Sequence, residues 1–213
     1  MDNVKRAKNT DAKRKRGARL ATRYVVRVAI MSAMLTALKF AFSFVPNVEV
    51  VTLLILVYAA AFGLAYALPA TSIFCAVEVA LYGAGSWVLL YFVYWNLLAV
   101  VASVLLKRRN VILAVVIAAV GSELFGVLSA CCDTLFCVAN LTGGELGLYW
   151  VAYYLRGVYF DVVHIVSNII VVGLLFRPLV SVCARTAPDA YSARSAGSYK
   201  LINKGYEYQR EER

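Results

Sequence analysis

The chain has 213 residues, 62% of them hydrophobic and 16% charged, with a mean hydropathy of +0.73. That leaves too little polar surface to cover a water-soluble globule of this size. The formal net charge of +10 would suggest nucleic acid in a soluble domain. Here the basic residues crowd into the first part of the chain and the Lys107-Arg108-Arg109 triplet, so they read as membrane topology signals, and no nucleic-acid partner is expected.

Residues 1–22 hold Lys5, Arg6, Lys8, Lys13, Arg14, Lys15, Arg16 and Arg19 with almost no large apolar side chain. Such a segment is expected to stay disordered or to lie on anionic lipid as a basic cytoplasmic tail. Apolar blocks follow at Tyr24–Phe44, Val48–Ala67, Pro69–Tyr82, Trp87–Leu106, Val111–Leu135 and Val151–Phe176. Each is near the roughly 20 residues that cross a bilayer, the third being short. The first is interrupted by Lys39 and lacks a small-residue cleavage site, so it reads as an uncleaved span and not as a signal peptide. The reading is an all-α integral membrane protein, a six-transmembrane-helix bundle over residues 23–179 with a polar cytoplasmic tail at 180–213. With both termini cytoplasmic, every basic cluster falls on the inner side, as the positive-inside rule requires. Leu68-Pro69 is then an inner turn, and Pro46-Asn47, Gly83–Ser86 and Asn140–Tyr149 are outer ones.

Ionisable residues in hydrocarbon are costly enough that each is a functional candidate. Lys39, Glu49, Glu78, Glu123, Asp133, Arg156, Asp161 and His164 stand at or within the spans, and most converge on an outward-facing cavity. In the sixth span Tyr154, Gly157, Asp161, His164 and Asn168 share one helical face. That stripe serves either ligand contact or interhelical hydrogen bonding. Trp87, Tyr91, Tyr94 and Trp95 open the fourth span, and Tyr149, Trp150, Tyr153 and Tyr154 precede or open the sixth. Their rings form either a lipid-facing belt or the walls of a site for a planar heteroaromatic molecule. Glu78, one turn before Tyr82 and the Gly83-Ala84-Gly85 turn, is a polar group for the rim. Thr142-Gly143-Gly144-Glu145 is a candidate lid or a plain connector.

Five cysteines form no metal-ligand spacing, and most behave as small hydrophobes in apolar runs; Cys132 and Cys137 are placed to pair at the outer face. Phosphate-loop, zinc-pair and nucleophile-elbow motifs are absent, and one histidine leaves little for acid–base catalysis. The chain is therefore expected to be no enzyme and to carry no cofactor and no metal.

Small residues at helical spacing on the first span (Ala29, Ala33, Ala37) lead into PNVEVVTLLI, Phe62-Gly63 and EVALYGAGSW. On these segments the chain resembles the substrate-binding S component of energy-coupling factor (ECF) vitamin transporters, over about Arg23 to Leu179. The resemblance implies that Ala29, Ala33 and Ala37 dock onto a transmembrane coupling subunit that works with two cytoplasmic ATPase subunits. It also implies that Asn47, Glu49, Trp87, Tyr91, Tyr94, Trp95, Asp133, Trp150, Arg156 and Asp161 surround a vitamin-like substrate. Glu78 and His164 join that set on their position in the spans. A multi-pass protein of a prokaryotic cell membrane follows. The long basic N-terminal tail and the polar C-terminal tail depart from the compact family core. The alternatives are a membrane scaffold, which needs no one-sided cavity, and an intramembrane enzyme, for which no nucleophile and base emerge.

The topology is open to direct measurement. Single cysteines introduced at 107–110 and near both termini should resist a membrane-impermeant maleimide added from outside. Outside labelling of 107–110, or termini on opposite faces, would contradict six crossings.

Overall fold

In the computed structural model the described residues are 2–46, 48–106, 110–137 and 140–195, with backbone alone for 2–13, 137, 193 and 195. They form seven helices: α1 (Asp2–Phe42), α2 (Val51–Phe62), α3 (Leu64–Tyr82), α4 (Ser86–Leu105), α5 (Val111–Cys137), α6 (Gly143–Thr186) and α7 (Pro188–Ser195). Five of these are long and apolar enough to cross a bilayer, and α2, with 12 residues, is apolar but short. Asn47 and Lys107-Arg108-Arg109 lie outside the described residues.

The surface has the polarity of a chain dissolved in lipid. Val25, Ile30, Met34, Ile112, Val120, Val162, Ile170 and Leu174 are exposed, whereas Ser32, Thr52, Glu78, Ser122, Asp161, His164 and Asn168 are buried. Hydrocarbon gives exposed backbone no partner, which is why long helices carry the chain and the polar side chains turn inward. Serine and threonine inside the spans satisfy themselves on their own helix: Thr71 Oγ1 donates to the Ala67 carbonyl and Ser122 Oγ to that of Ala118.

α2 sits at the centre, packed against α1, α3, α4, α5, α6 and α7, and all of Val51–Ala61 is buried. At roughly 1.5 Å per residue its 12 residues span about 18 Å, half a bilayer core. The second span is thus shorter than its expected bounds of Val48–Ala67, because the chain turns at Gly63 and not at Leu68-Pro69. Gly63 has φ 78° and caps α2, its N–H donating to the Tyr58 and Ala59 carbonyls; only glycine takes this conformation without strain. Pro69 lies inside α3, where its missing N–H deprives the Ala65 carbonyl of a helical partner. Tyr24 Oη on α1 supplies the hydrogen bond, at 2.8 Å. Gly83, φ 79°, ends α3 where a turn was expected.

The helices extend into both ends of the chain. Backbone helix continues through 2–22 as part of α1, since Lys, Arg and Ala favour helix where the next turns are already nucleated. At the other end α6 runs on to Thr186, and α7 folds back against the bundle with Ala187 and Ala190 buried. Asp189 of α7 accepts from Arg27 of α1 at 2.6 Å, and Arg194 Nη2 donates to the Ser103 and Leu106 carbonyls at 3.3 and 2.9 Å. Those carbonyls belong to the C-terminal turn of α4, which attracts a cation. Residues 196–213 lie outside the described set.

The Arg27 guanidinium, chiefly by its hydrogen bond, holds the Asp189 carboxyl below the usual carboxylate range. A depressed carboxyl stabilises the docked α7 above its ordinary pKa of about 3.9, and the contribution is lost as pH falls through the lowered value. Asp189→Asn should mimic that loss at neutral pH. For a half-exposed pair the opening equilibrium should rise by up to about fivefold, read as faster tryptic cleavage after Arg194. An unchanged cleavage rate would mean that α7 is held by its apolar contacts alone.

Candidate ligand site

The N-terminus of α2 is at mid-bundle, level with the middles of α4, α5 and α6, and a carboxylate holds it there. Glu49 Oε2 accepts the Thr52 N–H at 2.8 Å, which satisfies one orphan donor of the first turn and places negative charge at the positive end of the helix. Its other oxygen, Oε1, is 3.2 Å from His164 Nε2 and 3.1 Å from Asn168 Nδ2, both on α6. Asn168 Nδ2 also donates to Ser122 Oγ on α5 at 2.9 Å. An ionised carboxylate only accepts, so Asn168 must turn its NH2 toward it and leave Oδ1 facing elsewhere. By the same logic His164 places its Nε2–H on Glu49, and a neutral ring keeps an acceptor lone pair on Nδ1.

Aromatic rings cover this centre. Trp87, Tyr91 and Trp95 follow one another along α4 in edge-to-face contacts of 5.1 and 6.0 Å. Phe125 of α5 joins Tyr94 at 5.0 Å and the His164 ring at 5.7 Å. The Tyr94 hydroxyl comes close enough to Gly121 that a Cβ there would stand 3.2 Å away.

Thr52 Oγ1 and Tyr94 Oη face each other, and four polar atoms of this region have no hydrogen-bond partner among the described residues: Trp95 Nε1, Asp161 Oδ2, His164 Nδ1 and Asn168 Oδ1. Every one belongs to a side chain more than nine-tenths buried. A buried orphan group costs about 1–3 kcal/mol, so such a concentration marks a place where something else supplies the partners.

Asp161 connects this interior to a cleft of about 380 Å³ between α5 and α6. Phe125, Ser129, Tyr153, Phe160 and Arg156 line it together with Gly126 and Gly157. Two glycines create the room. A Cβ on Gly126 would overlap the Asp161 carboxylate, and one on Gly157 would stand 3.7 Å from Oδ2. Arg156 is exposed at the edge and makes no ion pair with Asp161 among the described residues.

The other expected site residues divide into two groups. Glu78 is buried and pairs with Lys39 of α1, whose ammonium lies 5.0 and 5.1 Å from the Tyr82 and Tyr91 ring centroids. It is a tied interior group and not a free group at the rim. Asp133 accepts from Ser86 at 3.0 Å and from Tyr149 at 2.5 Å, and Trp150 Nε1 donates to Cys131 Sγ at 3.3 Å. The Trp150 ring stacks on Tyr154, which donates to Glu123. These contacts brace the α5–α6 end and do not join Glu49. Cys132 is a free thiol, and the Cys137 side chain lies outside the described residues. Thr142 begins α6 with a capping box closed by Glu145, Oε2 accepting the Thr142 N–H at 2.8 Å. Gly143 and Gly144 are thus the first turn of a helix and not a lid.

Thr52, Ser122, Phe125 and Gly126 belong to the centre without having been assigned to it, and Asn168, expected on the polar stripe of the sixth span, joins them. Ser122, Phe125 and Gly126 do share one face of an otherwise apolar helix by their spacing, which is the signal that could have found them.

The fold and this interior define a polytopic helical membrane protein with a polar, aromatic-walled centre. Comparison with protein-family models, with curated proteins and with solved structures finds no match. The ECF resemblance accordingly rests on the residues that suggested it.

Gly126→Ala should displace the Asp161 carboxylate and destabilise the protein by about 1–3 kcal/mol through overpacking. Gly157→Ala, with room for its methyl group, should cost much less. Equal melting temperatures for the two variants in lipid nanodiscs would show that Asp161 is not confined as described.

Proposed function

We propose that the chain is a membrane-embedded substrate-binding subunit, of the ECF S-component type, that captures a vitamin-like small molecule and hydrolyses no ATP itself. The observation that carries the reading is the set of unpartnered polar atoms near the α2 N-terminus, on buried residues of α4 and α6. A scaffold held together by interhelical bonds would satisfy those atoms on one another. A half-length helix that begins at mid-membrane is also a feature of the broken helices that build solute sites near the bilayer midplane.

In this reading six crossings leave both termini in the cytoplasm of a prokaryotic cell, with the Pro46 end of the bundle outside. Energy comes from partners: a coupling subunit in the membrane and two cytoplasmic ATPases. Ala29, Ala33 and Ala37 support such docking, because all three are exposed while Val28, Met31, Ser32 and Leu35 form the buried side of α1. Exposed small residues let another helix approach closely.

Ala33→Trp separates docking from folding. Copurification with the coupling subunit should be abolished, while the melting temperature of the isolated chain stays within the range of a surface substitution, about ±0.5 kcal/mol. Undiminished complex formation would remove the stripe from the docking surface. A wild-type chain that copurified with no such subunit and bound no small molecule would favour the scaffold.

A further inference from the structure

The chemistry of the orphan atoms constrains what the site takes. Three of them, Asp161 Oδ2, His164 Nδ1 and Asn168 Oδ1, stand on one face of α6 at i, i+3 and i+7. All three accept. Asp161 presents a carboxylate oxygen, Asn168 a carbonyl oxygen fixed by the two bonds its NH2 donates, and His164 the lone pair left when Nε2–H faces Glu49. Near them Trp95 Nε1 is an obligatory donor, while the Tyr94 and Thr52 hydroxyls face each other.

Charge points in the same direction. Glu49 and Asp161 face the centre or its cleft, with His164 as the one basic side chain bonded there among the described residues. Lys39 is committed to Glu78, and Arg156 lines the outer part of the cleft, exposed and without a salt bridge to Asp161 among the described residues. A carboxylate in this apolar setting favours a cation or a strong N–H donor and disfavours a second anion.

Shape supplies the last element. Phe125 and Tyr153 line the cleft beside Asp161, and Phe125 continues into the rings of Tyr91, Tyr94 and Trp95. The volume of about 380 Å³ is at the small end for a ligand site. We propose, resting on the binding-subunit reading, that the substrate is a small planar nitrogen heterocycle. Its amino or amidine-like edge enters first and donates to Asp161, and its ring lies against Phe125. Anionic heterocycles are excluded from this end of the site.

Three probes of one ring size test the class on the full-length protein in nanodiscs: 4-aminopyrimidine, pyrimidine and pyrimidine-4-carboxylate, each titrated to millimolar concentration. The amino compound should raise the melting temperature and bind at least tenfold more tightly than pyrimidine, and the carboxylate should bind more weakly than either. Asp161→Asn should remove ten- to thirtyfold of the preference for the amino compound. Tighter binding of the carboxylate, equal binding of all three, or binding of none overturns the donor-edge class. Since the wild-type comparison carries the decision, a poorly folding Asp161 variant does not remove the test. Failure here leaves the binding-subunit reading intact, because that reading stands or falls on copurification with the coupling subunit.

Discussion

Glu49 ties the N-terminus of α2 to the middle of α6, and through Asn168 to α5. In water such an arrangement would be one option among many, since a carboxylate and an amide can be hydrated wherever they lie. In hydrocarbon the alternatives cost several kcal/mol per group, so these side chains have to find each other. The position of α2 follows from this: it starts at mid-bundle, runs only to Gly63, and is enclosed on every side by apolar contacts. The connection after α1 reaches inward because its carboxylate has partners nowhere else. Beside this centre α5 and α6 part at Gly126 and Gly157 into the cleft that Asp161 lines.

Two acid–base contacts order the interior, and they act differently. Lys39 and Glu78 neutralise one another under the Tyr82 and Tyr91 rings, and so fix α1 against α3 and α4. Such pairs contribute specificity of packing more than net stability, because burying each charge offsets most of the attraction. Glu49 and His164 form the second contact, but the imidazole carries charge only when protonated. Asp161 has no cation bonded to it among the described residues, and its carboxylate lies between two glycines. Hydrogen bonding is saturated around Lys39 and unsaturated around Asp161, which is the physical contrast between a structural group and a binding group.

The Gly63 end is built from other materials. There α7 joins α1 through Asp189 and Arg27 and closes over the last turn of α4 through Arg194. The half-exposed ion pair contributes little by itself, so the docking of α7 depends on Ala187, Ala190 and the carbonyls that Arg194 covers. The Ala29, Ala33 and Ala37 stripe on the same α1 is left uncovered. One face of α1 is thus committed to the bundle at both ends, by Arg27 and by Lys39, while its small-residue face is free for another helix.

Much of the fold was legible in the residues themselves. Hydropathy located five of the spans, and Gly83 marked a turn because its side-chain-free backbone tolerates a positive φ. The spacing of Asp161, His164 and Asn168 put them on one face, since a helix has a fixed period. Depth and partnership were not legible. Periodicity says which residues share a face but not what stands opposite, so Ser122, Phe125 and Thr52 entered the site only through contacts between helices far apart in sequence. The same limit hid the division of Glu78 from Asp161, two acids of like appearance in an apolar run. Pro69 looked like a break because proline removes a helical N–H, yet the hydroxyl of Tyr24, 41 residues from Ala65, restores the missing bond and the turn falls at Gly63 instead. Composition and period thus determined that the chain lives in a membrane as helices with a polar inner face. Which polar atoms were paired and which were left open was decided by the tertiary structure, because hydrogen bonding in a low-dielectric interior is settled between elements and not along one of them.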